Sequence, residues 1–273
     1  MKPIEIEEIE IDLILDAMFK RHGYDFRDYA RASLKRRLMH RVISENLSHI
    51  SEMFPKIMRD EAFFKRLLLD LSITVTEMFR DAGFYQAFRE TIVPKLRVFP
   101  FFKIWHAGCA TGEEVYSMAI LLHEEGLLKK AQIYATDFNS RALESAKEGL
   151  YAADNLALHE KNYSDAGGKT ALKDYYRAMY QSFKIHDFLK EKITFADHNL
   201  ATDGVFGEMH VILCRNVMIY FNQKLQTRVL TLFLNSLDHR GYLCLGKKES
   251  LFTTGVVDAF ERVSREYSIY RKK

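Results

Sequence analysis

Residues Phe102–Glu125, FKIWHAGCATGEEVYSMAILLHEE, hold this chain to one class of fold. Phe102, Ile104 and Trp105 make an aromatic and β-branched run, and Gly108 and Gly112 punctuate it. Val115, Met118, Ala119 and Leu122 then recur at helical spacing. A buried strand that enters a glycine turn and leaves it as an amphipathic helix is the opening unit of an α/β nucleotide-type fold. The charges on the turn narrow what it can hold. A free helix N-terminus suits a phosphate, but here Glu113 and Glu114 occupy the first helical turn. Ala110 and Glu113 stand where a G-x-G-x-x-G fingerprint has its second and third glycines. A ligand with positive charge and no phosphate fits better, and S-adenosylmethionine, with its ammonium and sulfonium, is one. The two glutamates also complement the helix dipole, which is worth a few tenths of a kcal/mol each, so they leave both readings open.

At 273 residues and 48% hydrophobic content, the chain is long enough for a full α/β core with a smaller domain attached. We expect two domains, residues 1–72 and 73–273, with a small subdomain inserted at about 151–197. A net charge of +3, with no dense Lys/Arg tract, gives no nucleic-acid footprint. Cys109, Cys214 and Cys244 are far apart and sit in apolar runs, so they read as reduced core thiols and not as a disulfide or zinc framework. The acidic, amphipathic N-terminus does not resemble a secretory signal, and no run of about 18 apolar residues is present, so a cytoplasmic protein is expected.

The first seventy residues read as helices, with Ile9, Leu13 and Ala17 on one i, i+4 line and Phe63, Leu67 and Leu71 on another. Between them, Arg27, Arg31 and Lys35 fall on one helix line and Arg37 and Arg41 on a second, with Leu34, Leu38 and Val42 apolar between. That basic face is either solvated or a docking surface for an acidic protein helix. Thr76 is placed to cap a helix carrying Arg80, or Arg80 orients a carboxylate by a bidentate contact. Gln132–Phe138 reads as the second strand, and Asp137 at its end is placed to accept ribose hydroxyls or to cap the next helix. That helix, Ser140–Leu150, is stopped by Gly149. Tyr151–Asp197 is irregular, with an Asp165–Gly168 loop signal and alternating Phe183 and Ile185 that predict a loop and a few short strands. At its end Ile193–Ala196 reads as a strand that leads into Asp197–Leu200, where Asn199 is placed to read an adenine edge. Arg215, Asn216 and Tyr220 follow a buried strand at its C-terminal end, where ligands of parallel sheets bind. Asn222 should cap a helix with Leu225, Val229, Phe233 and Leu237 on one face, before closing strands at 241–246 and 263–271.

Taken in order, TEMFR, GCATGEEVYSMA, YATDFNSRALESAKEGLY, DHNL and CRNVMIYF resemble the CheR-type chemoreceptor protein-glutamate O-methyltransferases, and the likeness covers nearly the whole chain. The resemblance implies a class I S-adenosylmethionine-dependent methyltransferase fold with an N-terminal helical domain and a small antiparallel insert. The implied reaction is methylation of glutamates on receptor cytoplasmic helices. By matching positions, Thr74, Thr76, Arg80, Gly108, Glu113, Glu114, Asp137, Asn199, Leu200, Arg215 and Asn216 would line the cofactor site. Arg80 and Tyr220 would face the methyl group and the incoming carboxylate. The sequence departs from the family pattern at Lys247 and Lys248, which stand in a segment that is commonly Gly-x-Ser-Glu. It departs again at Val115, where many members have proline. A reading from another class is a regulatory module that binds S-adenosylmethionine or S-adenosylhomocysteine and docks on a signalling partner without chemistry. The presence of Arg80 and Tyr220 argues against it. A nucleic-acid methyltransferase lacks its basic surface here, and a nicotinamide dehydrogenase lacks its glycines.

Overall fold

The computed structural model describes residues 3–72, 74–252 and 255–273; Ile73, where the second domain is expected to begin, lies outside the described residues. Four helices come first: α1 (Pro3–His22), α2 (Arg31–Ser44), α3 (Met53–Arg59) and α4 (Glu61–Leu71). Asp60 caps α4 by accepting from Phe63 N, and Phe63, Leu67 and Leu71 are buried together, as their spacing requires. On α1 the expected apolar line is displaced. Ile9 and Leu13 are 47% and 56% exposed, and burial falls on Ile11, Ile14, Leu15 and Met18. Apolar residues occur around much of this helix, so several i, i+4 lines can be drawn through it, and packing on α3 selects among them.

The basic face is also reorganised. Arg27 precedes α2 and does not ride on it. Its guanidinium pairs with Asp25 (2.8 Å) and Asp16 (3.4 Å), Arg31 pairs with Asp12 and Glu8, and Lys35 pairs with Glu7. The acidic residues of α1 therefore neutralise the line of bases that runs towards α2. Arg41 is buried against Asp70 and Glu45, and Arg37 donates to the carbonyls of Asp70 (2.6 Å) and Ser72 (3.2 Å), which satisfies the C-terminal end of α4.

The chain then enters the α/β part through α5 (Ala82–Thr91) and α6 (Val93–Leu96). It continues with β1 (Phe102–Ala107), α7 (Glu113–Glu124), β2 (Ala131–Asp137), α8 (Ser140–Glu148), β3 (Leu150–Ala152) and α9 (Leu156–Asp165). Next come β4 (Tyr176–Ala178), β5 (Ser182–Ile185), β6 (Ile193–Asp197), β7 (Met209–Cys214), α10 (Gln223–Ser236), β8 (Leu237–Leu245), β9 (Phe260–Arg262) and β10 (Ile269–Lys272). Seven strands form one sheet in the order β6-β2-β1-β7-β8-β10-β9, parallel from β6 to β8 and closed by the antiparallel β10 and β9. From β1 the chain builds to one side through β2 and β6 and to the other through β7 and β8. The crevice at this reversal opens at the C-terminal ends of β1, β2 and β7. Asn222 caps α10 by accepting from Leu225 N, and Leu225, Val229 and Phe233 are buried; Leu237 already begins β8. All three cysteines are buried free thiols.

Two local expectations change. Residues 74–80 form no helix, so Thr76 caps nothing. The segment is pinned to α7 instead, where the Ser117 hydroxyl accepts from Phe79 N (2.8 Å), with Phe79 and Asp81 both left-handed on either side of Arg80. The inserted unit is the three-stranded antiparallel sheet β3-β5-β4 together with α9, a helix the irregular sequence did not announce. The strand read at Ile193–Ala196 is present as β6, but it lies at the edge of the main sheet, so the insert ends before it and not at about residue 197. Glu124 at the end of α7 accepts from the hydroxyls of Tyr163 and Tyr175 and from Lys169 N, which fastens the insert to the core and gives its tyrosines a structural use.

Candidate active site

The strand end at Ala107 turns sharply at Gly108, whose φ is +80°; a Cβ there would lie 2.7 Å from Val217 Cγ2, so only glycine fits. Gly108 N and Cys109 N both donate to the Thr136 carbonyl at the end of β2. This ties the turn to the neighbouring strand. Asp137, the last residue of β2, accepts from Ala110 N through Oδ2 and from Asn139 N through Oδ1, each at 2.9 Å. Burial pushes its carboxyl above the ordinary aspartate range, and these backbone bonds offset part of that.

Two adjoining clefts meet at this turn. The larger lies between the helical unit and the sheet, bordered by Tyr29, Arg37, Leu71, Asp137, Phe138, His198 and Leu200. The smaller is bordered by Thr76, Arg80, Cys109, Glu114 and Arg215. Gly108, Asn216, Val217 and Tyr220 line both. Contacts across the seam fix the helical unit as one wall: Tyr29 bridges to Phe221 in antiparallel fashion, Ala30 N donates to Tyr220 O, and Asn139 Nδ2 donates to Ser72 Oγ.

The paired glutamates have different environments. Glu114 accepts from Arg215 (2.9 Å) and lies 3.0 Å from His106 Nδ1. Burial alone would raise its carboxyl, but His106 and Arg215 outweigh that and hold it below the ordinary range. The Arg215 guanidinium also binds Asp81 (2.9 Å) and the Arg80 carbonyl (3.0 Å), and it lies 4.1 Å over the Phe84 ring. It is thus a buried tie between β7, α7 and α5, and removing one partner would leave a charge uncompensated. Glu113 borders neither cleft; it accepts from Thr111 Oγ1 (2.7 Å), and burial pushes its carboxyl up.

Of the residues singled out from sequence, Thr76, Arg80, Gly108, Glu114, Asp137, Leu200, Arg215, Asn216 and Tyr220 border the clefts, and Thr74, Glu113 and Asn199 do not. Asn199 Oδ1 accepts from Ala201 N and its own N–H donates to Asp203, so it shapes the turn after β6. Arg37, read as part of a docking face, borders the larger cleft, as do Tyr29, Phe138 and His198. Sequence reasoning missed these because a cleft between two folding units is made by their packing and not by a local motif. Lys247 and Lys248 are exposed in a turn whose ends, Gly246 and Glu249, are buried. Among the described residues, no cluster of His, Cys, Asp and Glu has the arrangement of a metal site.

S-adenosylmethionine fits these residues: a half-buried carboxylate at the end of β2 for paired hydroxyls, apolar walls at Leu71, Phe138 and Leu200, and a turn whose first residues carry acids where a phosphate site would be bare. A mostly parallel sheet of this order with such a cleft at its reversal defines a class I S-adenosylmethionine-dependent methyltransferase. The comparisons narrow this further. Residues 9–72 match the all-alpha domain of CheR methyltransferases and residues 74–269 match their SAM binding domain, so the chain belongs to the CheR methyltransferase family. Among its relatives is the Pseudomonas putida protein named "Putative methyltransferase Cher3", 46% identical over 97% of each chain. Proteins named "Chemotaxis protein methyltransferase" in Vibrio anguillarum and "Chemotaxis protein methyltransferase 1" in Vibrio cholerae are 33% and 31% identical, each over 88% of both chains.

Proposed function

We propose that this methyltransferase acts in chemotaxis, transferring the methyl group of S-adenosylmethionine to glutamate side-chain carboxylates on the cytoplasmic helices of chemoreceptors and forming glutamate methyl esters. The observation that carries the reading is Arg80. It borders the smaller cleft with Tyr220, and among the described residues no carboxylate pairs with it, whereas the adjacent Arg215 is bound to Glu114 and Asp81. An unpaired guanidinium beside the reacting end of a cofactor cleft is suited to an anionic acceptor. The names of the Vibrio relatives support the chemotaxis assignment.

When bound, S-adenosylmethionine supplies an electrophilic methyl whose bonding pair leaves on sulfur as the acceptor oxygen takes the carbon. Asp137 would hold the ribose hydroxyls, with Leu200 and Gly108 bordering the nucleoside; Glu114, Asn216 and Thr76 would border the amino-acid end. An acceptor glutamate with an ordinary pKa of about 4.3 is already ionised at neutral pH, so no group need remove a proton. The work left to the protein is to orient the acceptor and exclude water, effects that can supply on the order of 7 to 11 kcal/mol. Arg80 would fix the carboxylate and the Tyr220 hydroxyl would hold one of its oxygens. In the test, a receptor cytoplasmic fragment is incubated with protein and cofactor and its peptides are mapped by mass spectrometry. A one-methyl mass gain on glutamate is expected, and a gain confined to lysine, arginine or asparagine would contradict the proposal.

A further inference from the structure

Behind the loop that carries Asn216 and Tyr220 stands a carboxylate that the reaction does not use. Glu249 is 5% exposed and takes five backbone N–H bonds. Oε1 accepts from Val217 (2.9 Å), Met218 (2.7 Å) and Ile219 (3.3 Å), and Oε2 accepts from Asn216 (2.9 Å) and Gly246 (2.6 Å). Successive amides that converge in this way make a concave anion site, and here the anion is part of the protein. The site is itself held from behind, because Ser268 Oγ donates to the Glu249 carbonyl and Leu245 N donates to the Ser268 carbonyl. The loop needs such support. Asn216 has a φ of +62°, a region that non-glycine residues occupy at a cost. Gly246 approaches so closely that a Cβ would lie 2.7 Å from Glu249 Oε2 and 2.8 Å from Asn216 N.

We infer that Glu249 is a positioning residue for methyl transfer: its carboxylate fixes the backbone of residues 216–219 and thereby sets Tyr220 against the acceptor and Asn216 against the amino-acid end of the cofactor, without itself touching cofactor or substrate. The inference rests on the reading of Tyr220 as acceptor-facing. The two oxygens hold different parts of the loop, which makes the role testable with an isosteric change. In Glu249→Gln the amide oxygen can keep the bonds to Val217, Met218 and Ile219. The NH2 group would then face the N–H groups of Asn216 and Gly246, donor against donor, so the disturbance should centre on Asn216. Gly246→Ala keeps the carboxylate chemically unchanged but drives a Cβ between Glu249 Oε2 and Asn216 N, wedging apart the same contact.

The experiment compares both variants with the wild-type protein in three measurements: S-adenosylmethionine affinity by calorimetry, methyl transfer to a receptor fragment at saturating cofactor, and amide hydrogen exchange at residues 216–219. In each variant transfer should fall by about 10²-fold, as expected for a reacting group displaced by about 1 Å. Cofactor affinity, which Asn216 also touches, should fall by a much smaller factor than the transfer rate, and exchange at 216–219 should quicken while that of β1 and α7 stays at the wild-type level. Wild-type transfer rates in both variants, or cofactor affinity and rate falling in the same proportion, would overturn the inference. If the wild-type protein transfers nothing to the fragment, the acceptor reading fails, and Glu249 is then judged by exchange and cofactor affinity alone; unchanged exchange at 216–219 would overturn it.

Discussion

At the residue scale, charges that look interchangeable in the sequence do different work once buried. Glu113 and Glu114 are neighbours, but burial pushes the Glu113 carboxyl up whereas His106 and Arg215 hold that of Glu114 below the ordinary range. Arg80 and Arg215 both border the smaller cleft, but among the described residues only Arg215 is paired with carboxylates, those of Asp81 and Glu114. Arg80→Ala should therefore lower the transfer rate on the order of 10²-fold by loss of orientation. Tyr220→Phe should lower it by about fivefold to tenfold, the worth of about 1 kcal/mol of hydrogen bond. Both should leave cofactor binding nearly intact, and calorimetry beside initial rates checks the split. Asp137→Ala should do the reverse and weaken S-adenosylmethionine affinity first. Asp137 also gives a signed pH effect, because burial raises its carboxyl above the ordinary value of 3.8. The unliganded protein gains stability from a protonated Asp137, and this is lost as pH rises through the raised value. Hydroxyl donors favour the ionised form, so cofactor affinity should rise over the same interval and fall again on acidification. Thermal melts and titrations across that interval would show the two opposite trends, and Asp137→Asn should abolish both.

At the element scale, the clearest revision concerns the basic helix. The pattern of Arg31 and Lys35 was legible in sequence, but the acids of α1 that answer it were not, because helix pairing depends on which faces meet. These pairs are about half exposed, so each is worth at most about 1 kcal/mol. Reversing Arg31 and Lys35 to glutamate should lower the melting temperature by loosening α1 from α2. Arg36, exposed on the same helix, offers the contrasting test. Arg36→Glu should leave the melting temperature in place, and if α2 meets an acidic receptor helix it should reduce kcat/KM on intact receptor at low salt, with the loss disappearing as salt is raised. The strand, turn and helix of residues 102–124 were read closely from sequence because each local signal agreed with the next: apolar run, glycine turn, acidic first turn, helical period. Residues 74–80 and the insert were read less well. Phe79 and Asp81 adopt left-handed backbone that no residue type there announces, and α9 lies in a segment whose tyrosines and glycines signal loops.

At the scale of the whole molecule, the larger cleft exists because a helical unit closes over the reversal point of a mostly parallel sheet. Its near wall, Arg37 and Leu71 among others, comes from that unit, while Asp137, Leu200 and Asn216 come from the sheet. Sheet-borne residues were accessible from motifs at strand ends; the wall residues required the packed molecule. The most direct measurement is methyl transfer from labelled S-adenosylmethionine to membranes bearing chemoreceptors, followed by alkali treatment and capture of volatile methanol, with Arg80→Ala run alongside. A carboxylate acceptor predicts base-labile label recovered as methanol and a strong loss of it in the variant. Label that survives alkali would place the methyl on nitrogen or carbon and contradict the assignment.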